Sequence, residues 1–341
     1  MNIILDDSLA KEQLYPFTAS RHVADIRIGI LTIREKWALL DANNFIYEAE
    51  GTITIPANII PTTTNVHAIF TALTTGKAIN NEEEIKFILQ PWNIFQLNAW
   101  ALQKDYELIT AGRKSEPIST TNKIINPKNI FLEEGAIVEH SIINASAGPV
   151  YIGKNAEVME GCMVRGPFAL CDNATLKMGS KIYGATTIGP NCTAGGEIKN
   201  SILFANSNKG HDGYLGDSVI GEWCNLGAGT TNSNLKNNAG NVTVWNNKTK
   251  SYVPAGIKCG LLMGDYSRAA INTSFNTGTV VGVCCNIFGE GFPPKLVTNF
   301  TWGKEKYIFE KALQDIDNWK QLKGSNISSA EKKILKELYN Q

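Results

Sequence analysis

The chain has 341 residues, with 32 basic and 32 acidic side chains and a formal net charge of zero. That balance argues against nucleic acid or an anionic membrane as the main partner, because both recruit a basic excess. A hydrophobic content of 43% and a charged content of 19% describe an ordinary globular chain rather than a disordered one.

In chain order, Asn2–Leu5 is a short apolar strand opening an α/β unit over residues 1–111. Asp6 and Asp7 follow with no basic stretch before them, so the opening is not a secretory signal. Ile28–Leu40 reads as helix, Glu82–Leu89 as strand or helix, and Trp92–Leu102 as helix. Residues 112–123 are polar and read as a linker to a second domain. No apolar run approaches the roughly 20 residues that span a bilayer. The odd count of seven cysteines, without a Cys-x-x-Cys pair, points to a reduced, cytoplasmic protein without a structural zinc.

From residue 124 to about 300 the chain is a repeat of six. Ile152, Val158, Val164, Leu170, Leu176, Ile182, Ile188 and Ala194 are in phase and all apolar. The same step links Ile125, Phe131, Ile137 and Ile143 before them, three extra residues at Ser146–Gly148 intervening. Tyr214, Ile220 and Leu226 follow, then Ile257, Met263, Ala269, Phe275, Val281 and Ile287. Four residues after each apolar position stands a mostly small one, such as Ala156, Cys162, Ala174, Ser180, Cys192 or Cys224. Neither a helix nor an alternating strand produces this pattern. It predicts a hexapeptide solenoid of about seven triangular coils, whose aliphatic residues point inward and whose small residues sit near the corners. The cysteines in small slots are then buried hydrophobes rather than reactive thiols. Phase breaks between Ala194 and Tyr214, and between Leu226 and Ile257, predict inserted loops that carry a site. Over 301–341, Phe309, Leu313, Ile316 and Trp319 lie at helical spacing. Ser328 with Glu331 predicts a capping box opening a last helix.

Residues 195–236 (GGEIKNSILFANSNKGHDGYLGDSVIGEWCNLGAGTTNSNLK) carry Lys199, then His211-x-x-Tyr214-x-Gly216-Asp217, then Asn225-x-Gly227-Ala228-Gly229-Thr230 and Asn234. This segment resembles the acetyltransferase half of bifunctional N-acetylglucosamine-1-phosphate uridyltransferases, and the short bacterial variant of that family. The resemblance implies a left-handed parallel β-helix, a homotrimer, and transfer of acetyl from acetyl-coenzyme A to the amine of an amino-sugar 1-phosphate. It makes His211 the base and the backbone of Gly227–Gly229, centred on Ala228, the oxyanion donor. Asn234 lies near the acetyl group, while Tyr214 and Asn225 position the sugar. Lys199 matches a phosphate-binding lysine. Lys181 stands where the family has an arginine, which keeps the charge and loses the bidentate fork. Lys236 lies close to the position of a lysine donated across the trimer interface. Coenzyme A is expected along Met263–Gly289, with Arg268 meeting one of its phosphates.

The first half departs from that family. Leu14, Pro16 and Thr18 resemble residues that follow a glycine-rich nucleotide-binding turn, but the glycines are missing. Arg21 and Arg27 are the nearby cations for a nucleotide. Asp6, Asp7 and Asp105 are magnesium candidates if nucleotidyl transfer exists, with exposed strand-end or helix acids as the plainer reading. Sugar-1-phosphate nucleotidyl transfer, or a non-catalytic trimeric scaffold or sensor, are the alternatives to acetyl transfer.

Overall fold

The computed structural model describes residues 2–42, 52–77, 79 and 84–341. Its centre is a parallel β-solenoid of the left-handed β-helix type. The prism has three faces. A six-strand face runs from Lys123–Ile125 to Tyr214–Gly216, and a nine-strand face from Ile130–Leu132 to Leu296–Val297. A ten-strand face runs from Ile137–Val138 to Glu305–Lys306. The solenoid is thus about nine coils deep, two more than the phase count suggests.

The repeat works as its pattern dictates. All eight positions from Ile152 to Ala194 line one continuous core. Burying each aliphatic side chain is worth about 1.5–3 kcal/mol, which no isolated coil collects. Ala156, Cys162, Ala174, Ser180 and Cys224 are buried beside them. Asn155, Asn173 and Asn191 stack at one corner with φ of 53°, 56° and 58°, a left-handed conformation that Asn tolerates better than most residues. All seven cysteines are buried and free. Burial pushes the Cys285 thiol up to about 11 and those of Cys171 and Cys192 to about 12.

The phase fails at predictable places. In the first coil Ile124, Leu132 and Val138 face the core, each one residue from Ile125, Phe131 and Ile137. Ile125 and Ile137 are about half exposed at 50% and 54%, and Phe131 stacks outside on Tyr151. A 3-10 turn at Pro127–Asn129 shifts the register there. Leu215, not Tyr214, enters the core, and Ile257 is 56% exposed. Residues 194–214 hold no inserted loop: they form a shortened coil. Thr175 pairs with Thr193, 18 residues on, but Thr193 pairs with Asn208, only 15 on. The second break is a true insertion, carrying a hairpin of β3 (Val242–Asn246) and β4 (Ser251–Gly256).

Two faces are clad. On the N-terminal side, β1 (Asn2–Asp6) pairs in parallel with β2 (Thr52–Pro56). Around them lie α1 (Ile33–Ala42), α2 (Val66–Thr75), α3 (Asn93–Gln96) and α4 (Asn98–Thr110). The helix expected over Ile28–Leu40 begins only at Ile33, because Arg27–Ile28 and Leu31–Thr32 form a tight antiparallel pair. The expected Glu82–Leu89 element reduces to the short strand Lys86–Phe87, with residues 82 and 83 outside the described residues. This unit lies against the nine-strand face. Phe17, Ile28, Ile59 and Phe95 share one core with Ile202, Phe204, Val219, Leu262 and Val280, and with Val242, Val244 and Ala255 of the hairpin. Residues 112–122 run without regular structure, but they are pinned: the Glu116 N–H donates to Leu132 and Arg113 pairs with Glu133. The C-terminal helices, α5 (Phe309–Gln321) and α6 (Ser329–Tyr339), cover the ten-strand face through Phe309, Ile316, Leu335, Tyr266 and Phe300. The Ser328–Glu331 capping box is formed. The six-strand face keeps Ile142, Met163 and Tyr183 exposed. No helix among the described residues is long and apolar enough to cross a membrane.

Candidate active site

The shortened coil brings glycine-rich turns together at the corner between the ten-strand and six-strand faces. Gly195–Gly196, Gly210–Gly213 and Gly227–Gly229 stack there in successive coils. Packing is close: a Cβ at Gly196 (φ +75°) would meet the His211 carbonyl at 2.9 Å. His211 stands on this corner with its side chain exposed and no hydrogen bond to its imidazole among the described residues.

Backbone accounting leaves one free donor in the Gly227–Gly229 turn, at Ala228, the position that is also free among the described residues at Glu160, Met178 and Ile271 in the matching turns of other coils. The Gly227 N–H donates to Ala269 and the Gly229 N–H to Asp212, while the Ala228 carbonyl accepts from Asn272. The Ala228 N–H alone in this turn has no acceptor among the described residues. A half-buried, free donor in the turn stacked on the His211 turn is the kind of group that a developing oxyanion requires.

A polar network adjoins the corner. Tyr214 faces outward because Leu215 takes the core slot. Its hydroxyl accepts from Asn234 Nδ2 at 3.0 Å, and the same Nδ2 donates to Asp217 Oδ2. Asn200 Nδ2 donates to the other Asp217 oxygen at 2.6 Å. Burial, reinforced by the charges of Asp217 and Glu197, pushes the Tyr214 phenol up to about 12, so it is neutral near pH 7. The register then places the cations. Lys199 lies opposite Tyr183 and Gly216, and Lys181 opposite Glu197, which lies opposite Tyr214. Lys181 and Lys199 therefore lie on the same six-strand face as Tyr214. Lys181 is exposed and also lines a groove with Met163, Arg165 and Tyr183.

The remaining expected residues lie elsewhere or are occupied. Asn225 is half-buried on the ten-strand face, between Asn208 and Arg268. Lys236 donates to the Asn241 carbonyl within its own loop. Arg268 is 7% exposed beneath α5, its guanidinium 5.3 Å from the Trp319 ring, and its Nε and Nη2 have no hydrogen-bond partner among the described residues. Arg21 is taken by the solenoid: its Nη2 meets Asp265 at 2.6 Å and its Nη1 meets Glu222 at 3.0 Å. Burial opposes the Arg21 charge, and the two carboxylates more than offset it. Arg27 is buried, bonded to the Ile30 carbonyl and 3.4 Å from Glu35. Neither arginine is presented to a nucleotide. Asp105 is buried with Lys36 and accepts from the Ile30 and Leu31 N–H groups. Asp6 caps its own turn through Ser8. Asp7 lies 3.7 Å from the His22 imidazole, and no cluster of three or more His, Cys, Asp or Glu among the described residues is arranged to hold a metal.

The chain is similar to several known proteins. A family model described as "Sugar nucleotidyl transferase" matches residues 2–54. The Bifunctional protein GlmU of Methanocaldococcus jannaschii is 32% identical over 224 residues, 65% of this chain and 48% of that protein. The bifunctional sugar-1-phosphate nucleotidylyltransferase/acetyltransferase of Sulfurisphaera tokodaii is 30% identical over 212 residues, 62% of this chain and 47% of its own. The chain resembles this bifunctional family. GlmU of Wigglesworthia glossinidia brevipalpis is 28% identical over 240 residues, again 62% and 47%. The chain spans about half the length of the curated relatives it matches.

Sequence reasoning missed Asn200 and Lys209 here, and gave Asp217 no role of its own. Asn200 and Asp217 tie Tyr214 and Asn234 together, and the sign of this was Asp217 inside the His211–Asp217 motif. Lys209 occupies a core slot, visible only when the phase is followed as Ile198, Leu203, Lys209, Leu215, Ile220 and Leu226.

Proposed function

We propose that the protein is an acetyl-coenzyme A-dependent N-acetyltransferase acting on an amino-sugar 1-phosphate in nucleotide-sugar biosynthesis. The supporting observation is the convergence of an unpartnered imidazole at His211 and an unpartnered N–H at Ala228 on one corner, with Tyr214 and two lysines alongside.

The chemistry follows from these groups. An ammonium cannot attack a thioester, so the acceptor reacts as the free amine, its first proton lost to solvent, and His211 takes the second proton from the nitrogen as the new bond forms. The amine nitrogen bonds the thioester carbon, and the negative oxygen takes the Ala228 N–H. Collapse breaks the carbon–sulfur bond, and the proton leaves with the coenzyme A thiol. Lys199 and Lys181 hold the sugar phosphate as point charges. Asn234 and Tyr214 orient the sugar and acetyl groups. The reading includes a homotrimer, in which neighbouring copies complete the coenzyme site. Incubating glucosamine 1-phosphate with acetyl-coenzyme A and following free thiol tests it. No thiol release from the parent protein defeats it.

The match over residues 2–54 favours a second reading, nucleotidyl transfer from a nucleoside triphosphate with magnesium. Pyrophosphate release from nucleoside triphosphate and sugar 1-phosphate decides it; none with any of the common nucleotides ends it.

A further inference from the structure

Lys209 occupies a slot that the fold reserves for aliphatic side chains. Asn208 pairs with Asn225 and Ala194 with Lys209, which sets Lys209 in the inward column between Ala194 and Leu226. It is 2% exposed. From inside the prism its ammonium reaches the corner and donates to the His211 carbonyl at 2.7 Å and to the Gly195 carbonyl at 3.0 Å. These carbonyls belong to two successive coils of the stacked corner. We propose that Lys209 is a positioning residue: its ammonium clasps the His211 turn to the coil below and so fixes where the imidazole stands.

Three observations carry this. A valine or leucine would complete the core at this slot without the cost of desolvating a charge. The shortened coil and the one below it line this corner with four glycines, Gly195, Gly196, Gly210 and Gly213, and so with little side-chain packing to hold it. Each of the two bonds is charge-assisted, and such bonds are about twice as strong as neutral ones. Burial draws the Lys209 ammonium down to about 8, with Asp212 acting in the opposite direction. The other polar side chains at the corner are Lys177, exposed on the coil below, and His211 itself; the coil above presents Gly227, Ala228 and Gly229. The clasp therefore weakens as pH rises through about 8.

The inference rests on His211 being the base of the proposed acetyl transfer, and its test separates the two. Hydrogen exchange of the amides of residues 210–214 is compared in the parent protein at pH 7 and pH 9, corrected for the chemical rate, and in Lys209→Met at pH 7. We expect protection of this turn to fall about tenfold in both comparisons, while the Ile182 and Ile188 amides stay protected. In the thiol-release assay, Lys209→Met lowers kcat at least tenfold with both KM values within threefold, because a misplacement of about 1 Å costs up to about a hundredfold in rate. Unchanged protection in the parent at pH 9 overturns the clasp even if the variant does not fold. A kcat loss matched by equal rises in KM overturns the positioning role. If the parent transfers no acetyl group, the acetyltransferase reading fails alone and exchange still decides the clasp.

Discussion

The N-terminal unit and the His211 corner begin with similar means and end opposite. Each brings cations and hydrogen-bonding groups to a turn. In the N-terminal unit they are consumed: Arg21 closes on Asp265 and Glu222, Arg27 on Glu35, and Lys36 on Asp105. At the corner the imidazole of His211 and the N–H of Ala228 are left over. Buried charges need partners, so a cation that has become an internal fastener is no longer available to a ligand. The contrast is between cations closed on internal carboxylates and groups left free to meet a ligand.

The comparison breaks most sharply at His211. His211→Ala should lower thiol release by about a hundredfold or more, the usual scale for a general base. Unchanged release would move the chemistry elsewhere. Arg21→Ala tests the other side. Removing it leaves Asp265 buried beside an empty space, and such losses cost about 3–5 kcal/mol, read from urea unfolding. Unchanged stability would mean that Arg21 is free to serve a nucleotide after all.

Much of the solenoid was legible because its period comes from geometry alone: three short strands per coil demand an inward residue every sixth position. Ile152 through Ala194 show this without exception. The reading slipped at Ile125, Phe131 and Tyr214, where a turn one or two residues longer or shorter exchanges inside for outside. The shortened coil was mistaken for an insertion because its core slot holds Lys209, which no hydrophobic pattern marks. His211, Tyr214, Asn234 and Lys199 were legible from spacing within one motif. The fates of Arg21 and Arg268 were not, since Asp265 lies 244 residues from Arg21 and Trp319 lies on a helix whose docking face the sequence does not specify.

Smaller effects sharpen the contrast. Tyr214→Phe removes an acceptor for Asn234 while keeping the ring, and should lower kcat/KM about tenfold with folding unchanged; a drop in stability of similar size would make Tyr214 a structural member instead. Lys181→Arg restores a two-pronged donor on the open face and should lower the KM for the sugar phosphate two- to threefold. The C-terminal helices supply a pH test. Burial works against the Glu331 charge, but bonds from Lys320, Ser328 and Tyr266 hold its carboxyl down to about 2, against 4.5 for the free side chain. The folded pKa is depressed, so this stabilisation is complete above about pH 4.5 and is lost as pH falls toward 2. Acid should loosen α5 and α6 first, seen as rising Trp319 exposure, and Glu331→Gln should flatten that change.

A bare solenoid behaves as a one-dimensional stack in which any stretch of coils can open separately from its neighbours. The N-terminal unit and the inserted hairpin press on at least four successive strands of one flank, through Ile202, Val219, Leu262 and Val280. Splinted in this way, those coils cannot part singly. Unfolding in this stretch should become a single all-or-none event, and because Ile30 and Leu102 of the N-terminal unit also pack on Phe131, Tyr151 and Ala169, the same splint reaches the first coils.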